Sequence, residues 1–253
     1  MNEQRLDLLL VARGCARSRT EAKKLVEAGC VQVVANGIEQ TLRKVSARVA
    51  DDVELRITAL AEQRYVSRAG LKLEAAITEY QVPVTDALAL DVGQSTGGFT
   101  DCLLQHGAAC VIGVDVGHDQ LAESVRSDAR VICVEGYNAR QLLLSDLPEP
   151  AAEGVDLVVM DVSFISQHLI LPQLPSLLKP GGWLVSLVKP QFEAGKAALG
   201  KNGIVKDEKC YEIVEARIRN HLTELGFSIL GYRESPVTGG DGNREFLVAA
   251  VKK

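Results

Sequence analysis

Four charged residues stand in stretches that are otherwise largely apolar. Asp161 closes the run Asp156-Leu-Val-Val-Met-Asp161, and Lys189 closes Trp183-Leu-Val-Ser-Leu-Val-Lys189. Glu245 opens onto Phe246-Leu247-Val248, and Lys72 lies between Leu71 and Leu73. Charges in such settings are costly unless paired, although each taken alone also reads as a strand-end or snorkelling surface charge. As a set they are neutral and suit methyl transfer to a ribose 2′-hydroxyl. That hydroxyl is a weak nucleophile, so a lysine made less basic by burial and by a second lysine can take its proton or hold the developing alkoxide. Lys189 is the candidate base and Lys72 the charge facing the oxyanion. Asp161 would position Lys189 and border the methyl donor, while Glu245 would orient the lysines and the ribose. The reaction needs the oxygen placed in line behind the donor methyl, and it needs no metal. Base methylation is less well served, because the chain has neither an Asn-Pro-Pro-aromatic motif nor a positioned cysteine nucleophile.

The second stretch able to do chemistry runs from Ala87 to Asp101. An apolar run ends in Asp91 and Gly93, and Gly97 and Gly98 then lead into a helical segment from Phe99. Glycines there let the backbone approach a ligand, and a helix start offers unpaired N–H groups. Asp115 ends the next strand close to the roughly 20-residue offset at which an acid bonds a ribose hydroxyl. A nicotinamide dinucleotide or S-adenosylmethionine would meet these requirements. The turn Gly93-Gln94-Ser95-Thr96-Gly97-Gly98 carries serine where the dinucleotide spacing needs glycine, which favours S-adenosylmethionine. The glycine turn through Phe99 would take its methionine moiety, Asp115 and Val116 its ribose, and the loop Glu135 to Asn138 its adenine, with Asp91 and Asp161 bordering the site. Asn138 reads equally well as a helix N-cap before Ala139.

These residues require a sheet to bring them together. Strands are expected at Ala87–Val92, Cys110–Val116, Val131–Val134, Asp156–Val162, Trp183–Val188, Phe227–Tyr232 and Glu245–Val251. Helices are expected near Gly98–Gln105, Gln120–Ser127, Ala139–Leu144, Gln167–Leu178 and Glu208–Leu225, after a leading helix Arg68–Glu79 that carries Lys72. Such alternation implies right-handed crossovers and a mostly parallel sheet covered on both faces. The short Pro236–Arg244 connection makes the last strand antiparallel. The fold class is therefore α/β, a Rossmann-like methyltransferase with a seven-stranded mixed sheet, and its ligands belong at the carboxyl ends of the strands.

Residues 1–60 have a different grammar and read as a small α+β domain, leaving 61–253 for the larger one. Leu6, Leu9 and Leu10 share a helix face, Ser18 and Glu21 form a capping-box pattern, and Gly29 ends a second helix. Val31–Val34 and Val53–Ile57 read as strands, with a turn at Asn36-Gly37 and a linker at Ala59–Arg64. From Arg13 to Lys24 five bases face one acid, so Arg17, Arg19, Lys23 and Lys24 are candidate RNA contacts on and around the second helix, unless the run is simply a solvated face. The loop Gln191–Lys206, rich in glycine and lysine, adds Lys196 and Lys201 as candidate phosphate contacts.

The net charge of −5 over 253 residues does not by itself advertise a nucleic-acid binder. No apolar stretch reaches the roughly 20 residues of a membrane span, and the start lacks a signal-like core, so a cytoplasmic protein without membrane contact is expected. The six cysteines are dispersed and suggest neither disulfides nor zinc.

Two resemblances follow. Arg5-Leu6-Asp7, Gly14, Ser18-Arg19, Ala22, Leu25, Gly29-x-Val31-x-Val33 and Asn36-Gly37 resemble the S-four-like RNA-binding module, which adds Arg5 to the candidate RNA contacts. Arg68-Ala-Gly-Leu-Lys72, Asp91-Val-Gly-Gln-Ser-Thr-Gly-Gly-Phe-Thr-Asp101, Gly113-Val-Asp-Val116, Met160-Asp-Val-Ser-Phe-Ile-Ser166, Leu187-Val-Lys-Pro-Gln-Phe-Glu193 and Gly242-Asn-Arg-Glu-Phe246 resemble the TlyA family, which joins that module to an FtsJ-like methyltransferase domain. The resemblance implies S-adenosylmethionine-dependent 2′-O-methylation of cytidine in ribosomal RNA. It places the family's catalytic lysine, aspartate, lysine and glutamate on Lys72, Asp161, Lys189 and Glu245. Ribosomal RNA or ribosomal subunits would be the partner, with no obligate protein partner. Competing readings are a non-enzymatic RNA-binding or ribosome-assembly factor and a haemolysin.

Overall fold

In the central strands, successive apolar residues point to opposite faces and both faces are buried. In the computed structural model, which describes residues 3–35, 38–57, 64–200, 203–239 and 242–253, Leu90, Ile112, Val158 and Met160 join one hydrophobic cluster. Their neighbours Ala89, Val111, Leu157 and Val159 join the other. A sheet fed by apolar residues on both sides must be covered on both sides, as parallel sheets are.

The chain divides into two units, Met1–Arg64 and Tyr65–Lys253. The expected linker at 59–64 and the expected boundary at 60/61 fall mainly on 58–63, outside the described residues, as does the Asn36-Gly37 turn.

The first unit begins with β1 (Glu3–Arg5), α1 (Leu6–Ala12) and α2 (Arg19–Glu27). Ser18 caps α2 by accepting from the Glu21 N–H at 3.2 Å, while Glu21 in turn accepts from the Arg17 N–H. The reciprocal bond of a capping box thus lands one residue early. The strands β2 (Val31–Ala35), β3 (Ile38–Thr41), β4 (Arg48–Ala50) and β5 (Glu54–Ile57) complete the unit. β2 pairs antiparallel with both β3 and β5, and β1 pairs with β4. Leu6, Leu9, Leu10, Leu25, Val26 and Val31 form its core.

The second unit opens with α3 (Ala69–Tyr80), β6 (Leu88–Val92), α4 (Gly98–Gln105), β7 (Cys110–Val114), α5 (Glu123–Arg126) and β8 (Val131–Val134). It continues through β9 (Val155–Met160), α6 (Leu174–Leu177), β10 (Leu178–Val188), α7 (Pro190–Glu193), α8 (Lys209–Glu224), β11 (Phe227–Glu234) and β12 (Phe246–Lys252). The sheet order is β11-β12-β10-β9-β6-β7-β8, with β12 antiparallel to both of its neighbours. The seven-stranded mixed sheet with its last strand reversed is the expected one.

Three crossover helices are shorter than expected. Gln120–Ser127 contains only α5, and Ala139–Leu144 holds a 3₁₀ turn at Ala139–Gln141. Gln167–Leu178 breaks into two 3₁₀ turns and α6, because Pro172 and Pro175 each lack the N–H that a continuous helix would use. The Gln191–Lys206 stretch is more ordered than a plain loop: it contains part of α7, a turn at Lys196–Ala198 and a bridge from Leu199 to Val205.

Candidate active site

The turn after β6 is built around a close backbone approach. Gly93 has φ +86°, and a Cβ there would lie 2.7 Å from the Asp161 carbonyl oxygen, so glycine alone lets the ends of β6 and β9 come together. Ser95 also sits at positive φ, and its N–H donates to Asp115 Oδ2 at 2.7 Å. The Gly117 N–H donates to Asp115 Oδ1 at 2.7 Å. Asp115 therefore holds the turn closed as well as lining the cavity beside it. Gln94 lies buried beneath the turn, donating to Thr100 Oγ1 at 2.9 Å and accepting from Cys133 Sγ. Gly97 caps α4, and Thr96, Gly98 and Phe99 line a small cavity of about 190 Å³ that also reaches Asp161, Ser163 and Lys189.

Asp91 is fully buried behind this turn. Its Oδ2 accepts from Thr100 Oγ1 at 2.7 Å, while its Oδ1 has no hydrogen-bond partner among the described residues. Burial pushes its carboxyl up to about 7; the Thr100 hydrogen bond opposes the rise and the charges of Asp161 and Asp115 add to it. A second cavity of about 320 Å³ is lined by Gly93, Asp115, Val116, Tyr137, Asn138 and Asp161, among others. Val116 is an exposed apolar wall there. The Asn138 side chain accepts from the Arg140 N–H, which makes it an N-cap at the cavity edge. Tyr137 and Ile170 also line this space; neither carries a spacing signal that sets it apart from ordinary loop and core residues.

The four charged residues meet at the carboxyl edge of the sheet. Asp161 follows β9 and Lys189 follows β10 directly. Antiparallel pairing of Val188 with Phe246 sets Glu245, just before β12, at the same edge. Lys72 projects from the buried side of α3, and its Nζ donates to Glu245 Oε2 at 2.5 Å. Lys189 Nζ lies 2.6 Å from Asp161 Oδ1, an ion pair that makes no hydrogen bond, and donates to Ser163 Oγ at 2.8 Å. Each lysine is thus matched to its own carboxylate. Both lysines and Glu245 line a cavity of about 660 Å³.

Sequence reasoning missed the residues that shape this cavity. Ser163 lines all three cavities. Phe164, at φ +65° and 92% exposed, stands between the two larger ones with its ring 5.3 Å from that of Phe192. Buried Glu193 accepts from Ser166 Oγ at 2.6 Å and the Gln167 N–H at 2.7 Å, while Gln167 Nε2 donates to the Leu187 carbonyl at 2.6 Å. That network ties the segment after Asp161 to the segment around Lys189. The signal available in the sequence was the pair of motifs Met160–Ser166 and Leu187–Glu193, which contain Ser163, Phe164, Ser166, Phe192 and Glu193.

In the first unit the candidate RNA contacts divide. Arg5 and Arg19 both pair with buried Asp7, at 3.0 and 3.2 Å, and the Arg5 hydrogen bond holds that carboxyl below its usual range against the opposing effect of burial. Lys23 lies 3.8 Å from Glu27. Arg13 donates to the carbonyls of Val53 and Asp51, which commits it to the fold. Arg17 and Lys24 have exposed side chains. Lys196 begins the 3₁₀ turn, and Lys201 lies outside the described residues.

A family model described as FtsJ-like methyltransferase matches residues 65–252, and one described as S4 domain matches residues 4–33. The 16S/23S rRNA (cytidine-2′-O)-methyltransferase TlyA of Mycobacterium tuberculosis is 40% identical over 96% of this chain and 88% of its own length. Hemolysin A of Brachyspira hyodysenteriae is 38% identical over 96% of this chain and 98% of its own. A solved structure from Streptococcus thermophilus, which carries a hemolysin name, is 42% identical with a TM-score of 0.72, covering all of this chain and 90% of that one. Among the described residues no helix is long and apolar enough to cross a membrane. With both family models matched in the expected order and such identity spread over nearly its whole length, the chain belongs to the TlyA family of FtsJ-like methyltransferases.

Proposed function

We propose that this protein transfers a methyl group from S-adenosylmethionine to the 2′-hydroxyl of a cytidine in ribosomal RNA. The observation that carries the reading is the pair of lysine–carboxylate contacts, Lys72 with Glu245 and Lys189 with Asp161, beside the glycine turn. The TlyA relative is named for this reaction, and that name supports the choice of cytidine.

The residues around the turn fit the methyl donor. Asp91 Oδ1 is a buried carboxylate oxygen without a hydrogen-bond partner among the described residues, suited to a ligand that carries an ammonium and a sulfonium. The cradle at Gly93 would be filled by any Cβ. Asp115 keeps acceptor capacity for a ribose, and Val116 and Tyr137 offer an apolar wall to an adenine, with Asn138 at its edge. When bound, the donor supplies an electrophilic methyl group.

The protein's own residues handle the hydroxyl. Lys189 takes the 2′-proton, and Asp161 neutralises the ammonium so formed. Lys72, held by Glu245, faces the oxygen as negative charge develops there. Phe164 offers its ring to a base entering the larger cavity. Arg17 and Lys24 in the first unit meet phosphates, as do Lys196 and Lys201 in the second, while Arg5 and Arg19 are held by Asp7 beside the helix that carries Lys24. With RNA held in this way the site works where ribosomal RNA is made, in the cytoplasm.

The test is transfer of tritiated methyl from S-adenosylmethionine to ribosomal subunits from a strain lacking the enzyme, followed by nucleoside analysis. Label recovered in 2′-O-methylcytidine supports the reading. RNA binding without label, or label on a base, replaces it with an assembly factor or a base methyltransferase; dye release from liposomes would favour a haemolysin.

A further inference from the structure

We propose that Ser163 is a positioning residue that aims the lone pair of Lys189 at the ribose 2′-oxygen. The inference rests on the ribose-methylation reading and adds a direction-setting group that the four charged residues do not supply.

A neutral lysine amine has two N–H bonds and one lone pair, and rotation about Cε–Nζ sweeps that lone pair through three positions. Proton transfer needs it at one of them. Asp161 Oδ1 is close to the amine, at 2.6 Å, but makes no hydrogen bond with it, so this contact supplies charge without fixing the rotation. Ser163 Oγ accepts from Nζ at 2.8 Å and is the amine's one hydrogen-bond partner among the described residues. Fixing one N–H leaves the lone pair two of its three positions, and the negative charge of Asp161 disfavours the one that faces it. Ser163 also stands where such a group must stand, lining the large cavity with both lysines, the cavity beside the glycine turn and the small one between them. Its place two residues after Asp161 lets one short segment deliver both the charge and the direction.

The proton bookkeeping is complete with groups on hand. The 2′-O–H bond breaks as an N–H bond forms on Nζ, and the oxygen keeps its electron pair for the bond to the incoming methyl. The ammonium then has Asp161 beside it and Ser163 Oγ as acceptor until it releases the proton to solvent.

The experiment compares wild type, Ser163→Ala and Ser163→Thr on methyl-deficient subunits, measuring kcat, KM for the subunit, the kcat–pH profile and, by calorimetry, the affinity for S-adenosylmethionine. Ser163→Ala is expected to lose about 10- to 100-fold in kcat, the scale of a misplaced reacting group, with KM and donor affinity within about twofold of wild type. Its acid limb is expected to move to lower pH, because the lost acceptor favoured the ammonium. Ser163→Thr restores both. A Ser163→Ala enzyme within twofold of wild type in kcat, a threonine variant as slow as alanine, or a profile scaled down without moving overturns the inference while leaving the function intact. A wild type that makes no 2′-O-methyl product fails the underlying reading and takes this one with it.

Discussion

Lys72 and Glu245 are separated by 173 positions in the chain, and their charged atoms lie 2.5 Å apart. The contact joins a helix that precedes the first strand of the large sheet to the residue that opens its last strand. Both side chains are almost wholly withdrawn from water, at 10% and 3% exposure. Removing one partner of such a pair strands the other, at a cost of about 3–5 kcal/mol. Glu245→Ala should therefore unfold in urea well below wild type. A Lys72→Met/Glu245→Leu double variant should recover most of that loss and remain inactive. Equal midpoints for the single and double variants would show that the pair is not coupled.

Asp91 is expected to make donor binding dependent on pH. Its carboxyl, near 3.8 when unfolded, is raised to about 7 in the fold. Between those values the folded state holds a proton that the unfolded state has lost, so this group makes the unliganded protein less stable as pH rises from about 4 to 7, with no further change above. A cationic ligand needs the carboxylate, so affinity for S-adenosylmethionine should rise as pH climbs through 7 and then level off. Calorimetry on Asp91→Asn should give weaker binding with little of that slope; an unchanged slope would remove Asp91 from the donor site.

Gly93→Ala combines a disfavoured φ with a Cβ only 2.7 Å from a backbone oxygen that cannot swing away. A destabilisation of about 1–3 kcal/mol is expected, with loss of donor binding at temperatures where the variant is still folded. Thermal unfolding with and without donor measures both. A variant stabilised by the donor as strongly as wild type would contradict this account of the turn.

Phe164 stands exposed at a backbone conformation unusual for its type, with the Phe192 ring beside it as its one ring contact among the described residues. Phe164→Ala should leave stability and donor affinity unchanged and raise KM for the ribosomal subunit about 10-fold, the scale of one lost base stack. An unaltered KM would leave its exposure unexplained.

The fold was legible because its strands are near-continuous apolar runs, and Asp161, Lys189 and Glu245 stood out because each borders one. Asp161 was expected to position Lys189, and the two lie 2.6 Å apart; what was not legible is that Glu245, expected to orient both lysines, is taken by Lys72, a contact that strand register and α3 make between residues far apart in sequence. Ser163 and Phe164 lay inside the quoted motif Met160–Ser166 but were assigned no role, because serine and phenylalanine between strands carry no periodicity. The roles of Arg5 and Arg19 were obscured for a different reason: composition counts a base as available, and only the fold reveals that Asp7 already holds both. Helix lengths failed at Pro172 and Pro175, where local chemistry outweighed a periodic apolar pattern.

The most direct measurement of the account is single-turnover methyl transfer to methyl-deficient ribosomal subunits by wild type and Lys189→Ala, with RNA and S-adenosylmethionine affinities measured alongside. Loss of the proton acceptor should slow transfer by about 10²–10⁴-fold while both affinities stay within a few-fold of wild type. Transfer at the wild-type rate by Lys189→Ala, into the same 2′-O-methylcytidine, would contradict the assignment of the chemistry to this edge of the sheet.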